Sequence, residues 1–158
     1  EQPNIINAEI IAKEKGIQVV ESKVEESDRY VNMISISLQS NGVKREVRGT
    51  AFPGSEPRLL GIDNYDLDMP LEGDFLMSVH ADVPGIIGRI GTTLGSRDIN
   101  IARMGLGRDE RGGRALMLVS VDDPVTDDTV KELAAIKGFE EVRFIKLSDI
   151  GNRDYLQI

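Results

Sequence analysis

Cysteine and tryptophan are both absent from the 158 residues. Without cysteine there is no disulfide, no thiolate metal site and no cysteine nucleophile. A reducing compartment suits such a chain, and a cytoplasmic location is the expectation. Aromatic residues are scarce, with four Phe and three Tyr, so any core must be built from Ile, Val, Leu and Met. Histidine occurs once, at His80, and no G-x-S-x-G context accompanies it to suggest a triad. Metal sites need several His, Cys or spaced carboxylates, a pattern not found here. No apolar run approaches the ~20 residues of a membrane-spanning helix, and the N-terminus lacks a signal-peptide pattern. Lys and Arg number 19 against 27 Asp and Glu, a formal net charge of -8. That balance argues against a nucleic-acid partner, whose phosphates demand clustered cations. Gly105-x-Gly107 lies in a strand running into a hairpin, not in the strand-to-helix turn of a phosphate-binding loop. By subtraction, the chain is expected to hold no catalytic residue, no metal, no cofactor and no membrane contact of its own.

What is present divides into two regions joined near Met69-Pro70-Leu71-Glu72-Gly73. In residues 1–70, Asn7 suits an N-cap and Gly16 a left-handed helix end, predicting a helix over Asn7–Lys15. A strand is expected at Gln18–Ser22, followed by a charged loop through Glu25, Glu26 and Asp28. Ile34, Ile36 and Leu38 alternate with Ser35, Ser37 and Gln39, which predicts a strand with one buried and one wet face. Asn41-Gly42 predicts a type I′ turn, with Val43–Thr50 as the returning strand. Arg58–Ile62 and Tyr65–Met69 read as a second hairpin turning at Asp63-Asn64.

From Asp74 strands and helices alternate. Phe75–Ala81 is a strand. Pro84-Gly85 opens a helix to about Arg97, with Pro84 in its first turn and Ile87, Ile90, Gly91 and Leu94 on one face. Gly88, Gly91 and Gly95 lower helix propensity by roughly 1 kcal/mol each, which suggests close approach to the sheet or to a partner. Asn100–Leu106 and Ala115–Val121 are strands, the latter apolar on both faces as in the middle of a covered sheet. Thr126 caps a second helix, and Val142–Leu147 closes a β-α-β-β-α-β order. The expected fold is therefore α+β: a ferredoxin-like βαββαβ domain over 73–147, preceded by a smaller sheet-rich α+β domain and followed by a tail, 148–158. The start at Glu1 rather than Met fits a fragment or processed product.

Two clusters invite a ligand. Asp82 offers an acceptor for an ammonium, the first N–H groups of the Pro84 helix suit a carboxylate, and Asn100 offers a donor and an acceptor. A free amino acid carries all three complements. The blander reading, that Asp82 and Asn100 are turn residues and His80 a strand-end residue bonded to backbone, is the commoner outcome for such spacing. Lys44, Arg45, Arg48 and Arg58 could form an anion site. A solvated strand is the commoner explanation there as well.

The run Asp82-x-Pro84-Gly85 and the later Asp98-Ile99-Asn100-Ile101 resemble the ACT domain. With the segment from Asn7 to Ile17, Gly49-Thr50-Ala51-Phe52, Glu56-Pro57-Arg58, Arg89–Gly95 and Val121-Asp122-Asp123-Pro124, the chain is similar to the C-terminal regulatory region of long-form D-3-phosphoglycerate dehydrogenases. The resemblance covers all but the last eleven residues. It implies a partial allosteric substrate-binding domain over 1–70, which in some members holds an anion, and an ACT domain over 73–147. It also implies L-serine as feedback effector at an interface between two ACT domains, self-association through those domains, and an NAD-dependent oxidoreductase as parent. The implied effector residues are His80, Asp82 and Asn100, with Val83, Pro84 and Gly85 contributing backbone. Family members often carry Asn where this chain has Asp82, or an aromatic where it has His80. The alternatives are an ACT module that only assembles subunits, or a sensor of another small amino acid.

Overall fold

A computed structural model describes residues 4, 6–22, 32–51 and 56–147. By contacts the chain forms two compact units, 1–31 and 32–158. In the first, helix α1 spans Ala8–Glu14. Asn7 holds the cap position without capping through its side chain; its Oδ1 instead accepts from the Asn4 N–H at 2.6 Å. Gly16 ends the helix at φ +71°, as its lack of a Cβ allows. The strand expected at Gln18–Ser22 does not form: residues 17–22 carry no regular structure. The charged loop around Glu25 to Asp28 and the tail 148–158 lie outside the described residues.

The second unit holds two antiparallel four-stranded sheets. Strands β1 (Met33–Ser40), β2 (Val43–Thr50), β3 (Arg58–Ile62) and β4 (Tyr65–Pro70) form a meander in chain order. Asn41 and Gly42, at φ +50° and +77°, make the expected tight turn between β1 and β2. The second sheet is built from β5 (Asp74–Ala81), β6 (Ile101–Arg108), β7 (Arg114–Val121) and β8 (Phe139–Ile145), in the order β6-β7-β5-β8. With α2 (Ile86–Gly95) and α3 (Asp127–Ala135) it gives the βαββαβ order read from the sequence.

Because β5 and β7 are central, alternate residues feed two cores. Leu76, Met117 and Val119 pack with Ile86, Ile90, Leu94 and Leu133 of the two helices. Phe75, Met77, Val79, Leu116 and Leu118 pack with Leu59, Tyr65, Leu67 and Met69 of the first sheet. Both faces of β7 are therefore dry, as its sequence required, and each fully buried Leu or Met contributes about 1.5–3 kcal/mol. The break expected near residues 69–73 separates the two sheets but not two compact bodies, since β3 and β4 help cover the sheet of β5.

Three local expectations are corrected. The face of Ile34, Ile36 and Leu38 is not buried: these side chains are 64%, 64% and 70% exposed. The apolar face of the meander meets the other sheet only through β3 and β4, so on β1 the alternation records a face that this unit leaves uncovered. Pro84 stands before the helix rather than in its first turn, because Gly85 takes the cap at φ +93°. That start sets the buried stripe at Ile86, Ile90 and Leu94 and leaves Ile87 half exposed. Finally, a Cβ at Gly88, Gly91 or Gly95 would meet nothing within 4 Å, so no close approach within the described residues explains them. Thr126 does cap α3, accepting from the Thr129 N–H at 3.3 Å.

Candidate functional site

Strand β5 delivers His80 on the helix-facing side, the side it shares with Ser78 and Leu76. The ring is 2% exposed and lies 5.7 Å from the Phe139 ring. Its Nδ1 is 2.9 Å from the Ala81 carbonyl, a distance at which Nδ1–H donates. In the neutral ring that leaves Nε2 as an acceptor. Nε2 is buried and has no hydrogen-bond partner among the described residues. A buried polar atom without a partner costs about 1–3 kcal/mol, so its position calls for an explanation.

A cavity of about 490 Å³ lies at the C-terminal end of β5. His80, Asp82, Val83, Pro84 and Gly85 line it, together with Ile86, Ile87, Leu106, Arg108, Arg111 and Gly112. The left-handed Gly85 turns the chain so that α2 begins beside the pocket. Asp82 Oδ2 accepts from the Gly112 N–H at 3.2 Å and pairs with Arg108 Nε at 3.2 Å. Next to the pocket, Asp109 braces the β6–β7 hairpin by accepting from the Arg114 and Glu110 N–H groups, each at 2.7 Å. Desolvation pushes the Asp109 pKa up, but those hydrogen bonds outweigh it and the net shift is downward.

Five of the six residues expected to bind an effector are thus gathered, and the sixth is not. Ile101 pairs with Val121 beside Asp74, whereas Arg108 pairs with Ala115 beside His80. Asn100 therefore sits at the opposite end of the sheet, about 20 Å away at ~3.3 Å per residue. Its Nδ2 donates to Asp122 Oδ2 at 2.5 Å. Asn100 does not converge with His80 inside one chain: β5 and β6 run in the same direction, so the start of one cannot meet the end of the other. Sequence reasoning missed Arg108, Arg111, Leu106 and Gly112. Only the register of β6 on β7 brings them to the pocket, and no spacing signals it.

Of the residues proposed as an anion site, Lys44 and Arg48 line one pocket with Glu46, Asp63, Asn64 and Asp66. Lys44 and Arg48 share a face of β2, as alternation requires, and Arg45 is on the other. Each cation has a carboxylate partner: Lys44–Glu46 at 2.7 Å, Arg45–Asp63 at 2.9 Å, Arg48–Asp66 at 3.1 Å and Arg58–Asp68 at 2.6 Å. Hydrogen bonds from Lys44 and then Ser37 hold the Glu46 pKa below its ordinary value. Gly105-x-Gly107 does not fit a dinucleotide. Gly105 and Gly107 lie within β6, where the space a Cβ would take is filled by the Met69 side chain and the Asp66 carbonyl. Among the described residues no cluster of His, Asp or Glu could hold a metal ion, and no helix is long and apolar enough to cross a membrane.

Comparison with known proteins matches two family models along the chain. Residues 1–63 match the family model of the D-3-phosphoglycerate dehydrogenase intervening domain, and residues 75–138 match the ACT domain. Over 146 residues the chain is 40% identical to D-3-phosphoglycerate dehydrogenase of Archaeoglobus fulgidus, covering 91% of this chain and 28% of that protein. It is 36% identical over 144 residues to the Bacillus subtilis enzyme of that name, covering 91% of this chain and 27% of the relative. The Synechocystis counterpart is 34% identical over 147 residues, 93% of this chain and 26% of its own length. The chain thus spans little more than a quarter of these relatives.

Proposed function

Since the chain belongs to the D-3-phosphoglycerate dehydrogenase family as an intervening domain joined to an ACT domain, we propose that it binds a free amino acid, L-serine, as a feedback effector. The observation that carries the reading is that His80, whose buried Nε2 has no partner among the described residues, lines a cavity beside the start of α2. A ligand hydroxyl or ammonium would satisfy Nε2, and the N–H groups at the head of α2 favour a carboxylate.

The site is completed by a second copy. Strand β6 is at the sheet edge. If two copies pair antiparallel along β6, Asn100 of the partner subunit comes to the Arg108 end of the strand, next to the His80 pocket. An amino acid held between His80 and Asp82 on one side and Asn100 of the partner subunit on the other binds the paired state more tightly than the separate one. Linkage then converts occupancy into a quaternary bias. In a longer protein this bias acts on an NAD-dependent oxidoreductase supplied by other domains, working in the cytoplasm on the serine pathway; this chain contributes recognition and assembly.

Calorimetric titration with L-serine, with D-serine and glycine as controls, tests the reading. Stereoselective binding that disappears in both His80→Ala and Asn100→Ala supports it, provided a mixture of the two variants regains one site per mixed dimer. A folded dimer that takes up no amino acid sinks it. The rival reading, a module that only assembles subunits, is favoured by the open glycine face of α2. Tight dimers indifferent to every amino acid would establish that rival.

A further inference from the structure

Asp82 already has partners at the mouth of the pocket. Its Oδ2 is shared between the Gly112 N–H and the Arg108 guanidinium, each at 3.2 Å. These contacts tie the loop before α2 to the β6–β7 hairpin. The Asp82 side chain is 15% exposed and that of Arg108 55%, so the carboxylate is the sheltered half and the guanidinium the solvent-facing half. A ligand of single charge that entered here would separate the pair and leave one member without its counterion. A zwitterion replaces both halves at once, its ammonium taking Asp82 and its carboxylate taking Arg108.

We propose that Arg108 recognises the effector's carboxylate, and that the effector is a free α-amino acid inserted between Asp82 and Arg108. The proposal rests on the pocket being the effector site. Arginine suits the role because its planar fork offers parallel donors to a carboxylate. Its own half of the pair faces solvent, so the guanidinium can turn from Asp82 to a ligand carboxylate. Arg111 lines the same cavity but is not paired with Asp82. Exchange of partners also loosens the Asp82–hairpin tie, so occupancy is transmitted to the end of β6.

The test crosses the ligand's charge with the residue's charge. L-Serine and L-alanine, and their primary amides, are titrated into the whole chain, wild type and Arg108→Gln, with Arg97→Gln, whose partner is Glu132 and which does not line the pocket, as control. The wild type is expected to prefer each acid over its amide by ten- to a hundredfold. Arg108→Gln should lose tenfold or more for the acids, keep its affinity for the amides, and so lose the preference; Arg97→Gln should keep it. Should Arg108→Gln not fold, Arg108→Lys retains one charge without the fork, and its preference should fall at least threefold. Equal weakening of acid and amide, or a preference that survives, would show that Arg108 only positions Asp82; the proposal then falls while the effector site stands. A wild-type chain that binds none of the four compounds overturns the site and the proposal together.

Discussion

Gly107 of β6 lies directly against the backbone of Asp66 in β4: a methyl group at Gly107 would stand 2.5 Å from the Asp66 carbonyl oxygen. Backbone cannot yield as a side chain can, so Gly107→Ala must push the two sheets apart. A loss of about 1–3 kcal/mol in urea unfolding is expected. Gly105→Ala should cost less, because its obstacle is the flexible Met69 thioether. Equal effects of the two substitutions would show that the sheets are not clamped at Gly107.

On α2 the opposite result is expected. Gly91 is helical and a Cβ there would meet nothing, so Gly91→Ala should raise stability by up to about 1 kcal/mol. Measured on a dimer, the same variant also reports on assembly. If it strengthens the fold but weakens association in analytical ultracentrifugation, the glycine face belongs to an interface.

Tyr65 supplies a pH dependence. Burial pushes its phenol pKa above the ordinary value. The folded state therefore holds that proton more tightly than the unfolded chain does. The associated stability is whole below the unfolded pKa of about 10 and is lost as pH rises through the folded value. Between pH 8 and pH 11 the wild type should lose more stability than Tyr65→Phe. Parallel losses would remove Tyr65 as the cause.

The exposed stripe on β1 gives a negative prediction. Ile36→Ser should change stability by no more than about 0.5 kcal/mol, since the side chain is 64% exposed. A loss above 2 kcal/mol would mean that something covers this face in solution.

Alternation, caps and turns are local physics, and the sequence resolved them. The Asn41-Gly42 turn, the Thr126 cap and the doubly apolar β7 could be read because each depends on residues a few positions apart. On β1 the same kind of reading misled. Alternation reports that a face is apolar but not whether anything covers it, and burial is decided by which strands of the meander reach the other sheet. At the helix, the shift from Ile87 to Ile86 turned on the backbone of one glycine.

By itself, then, the sequence determined the βαββαβ order, the aliphatic cores, and the His80-to-Gly85 segment as the place to look. It did not show that Asn100 lies at the other end of the sheet from that segment within one chain, because strand direction is not written in spacing. Tertiary structure alone decided that β5 and β6 run parallel, which sends Asn100 to one end of the sheet and brings Arg108 to the other. It alone left His80 Nε2 buried without a partner among the described residues and set Arg108 on Asp82. These are long-range pairings, fixed by register and by the packing of two sheets, and only the folded chain brings their members within reach of one another.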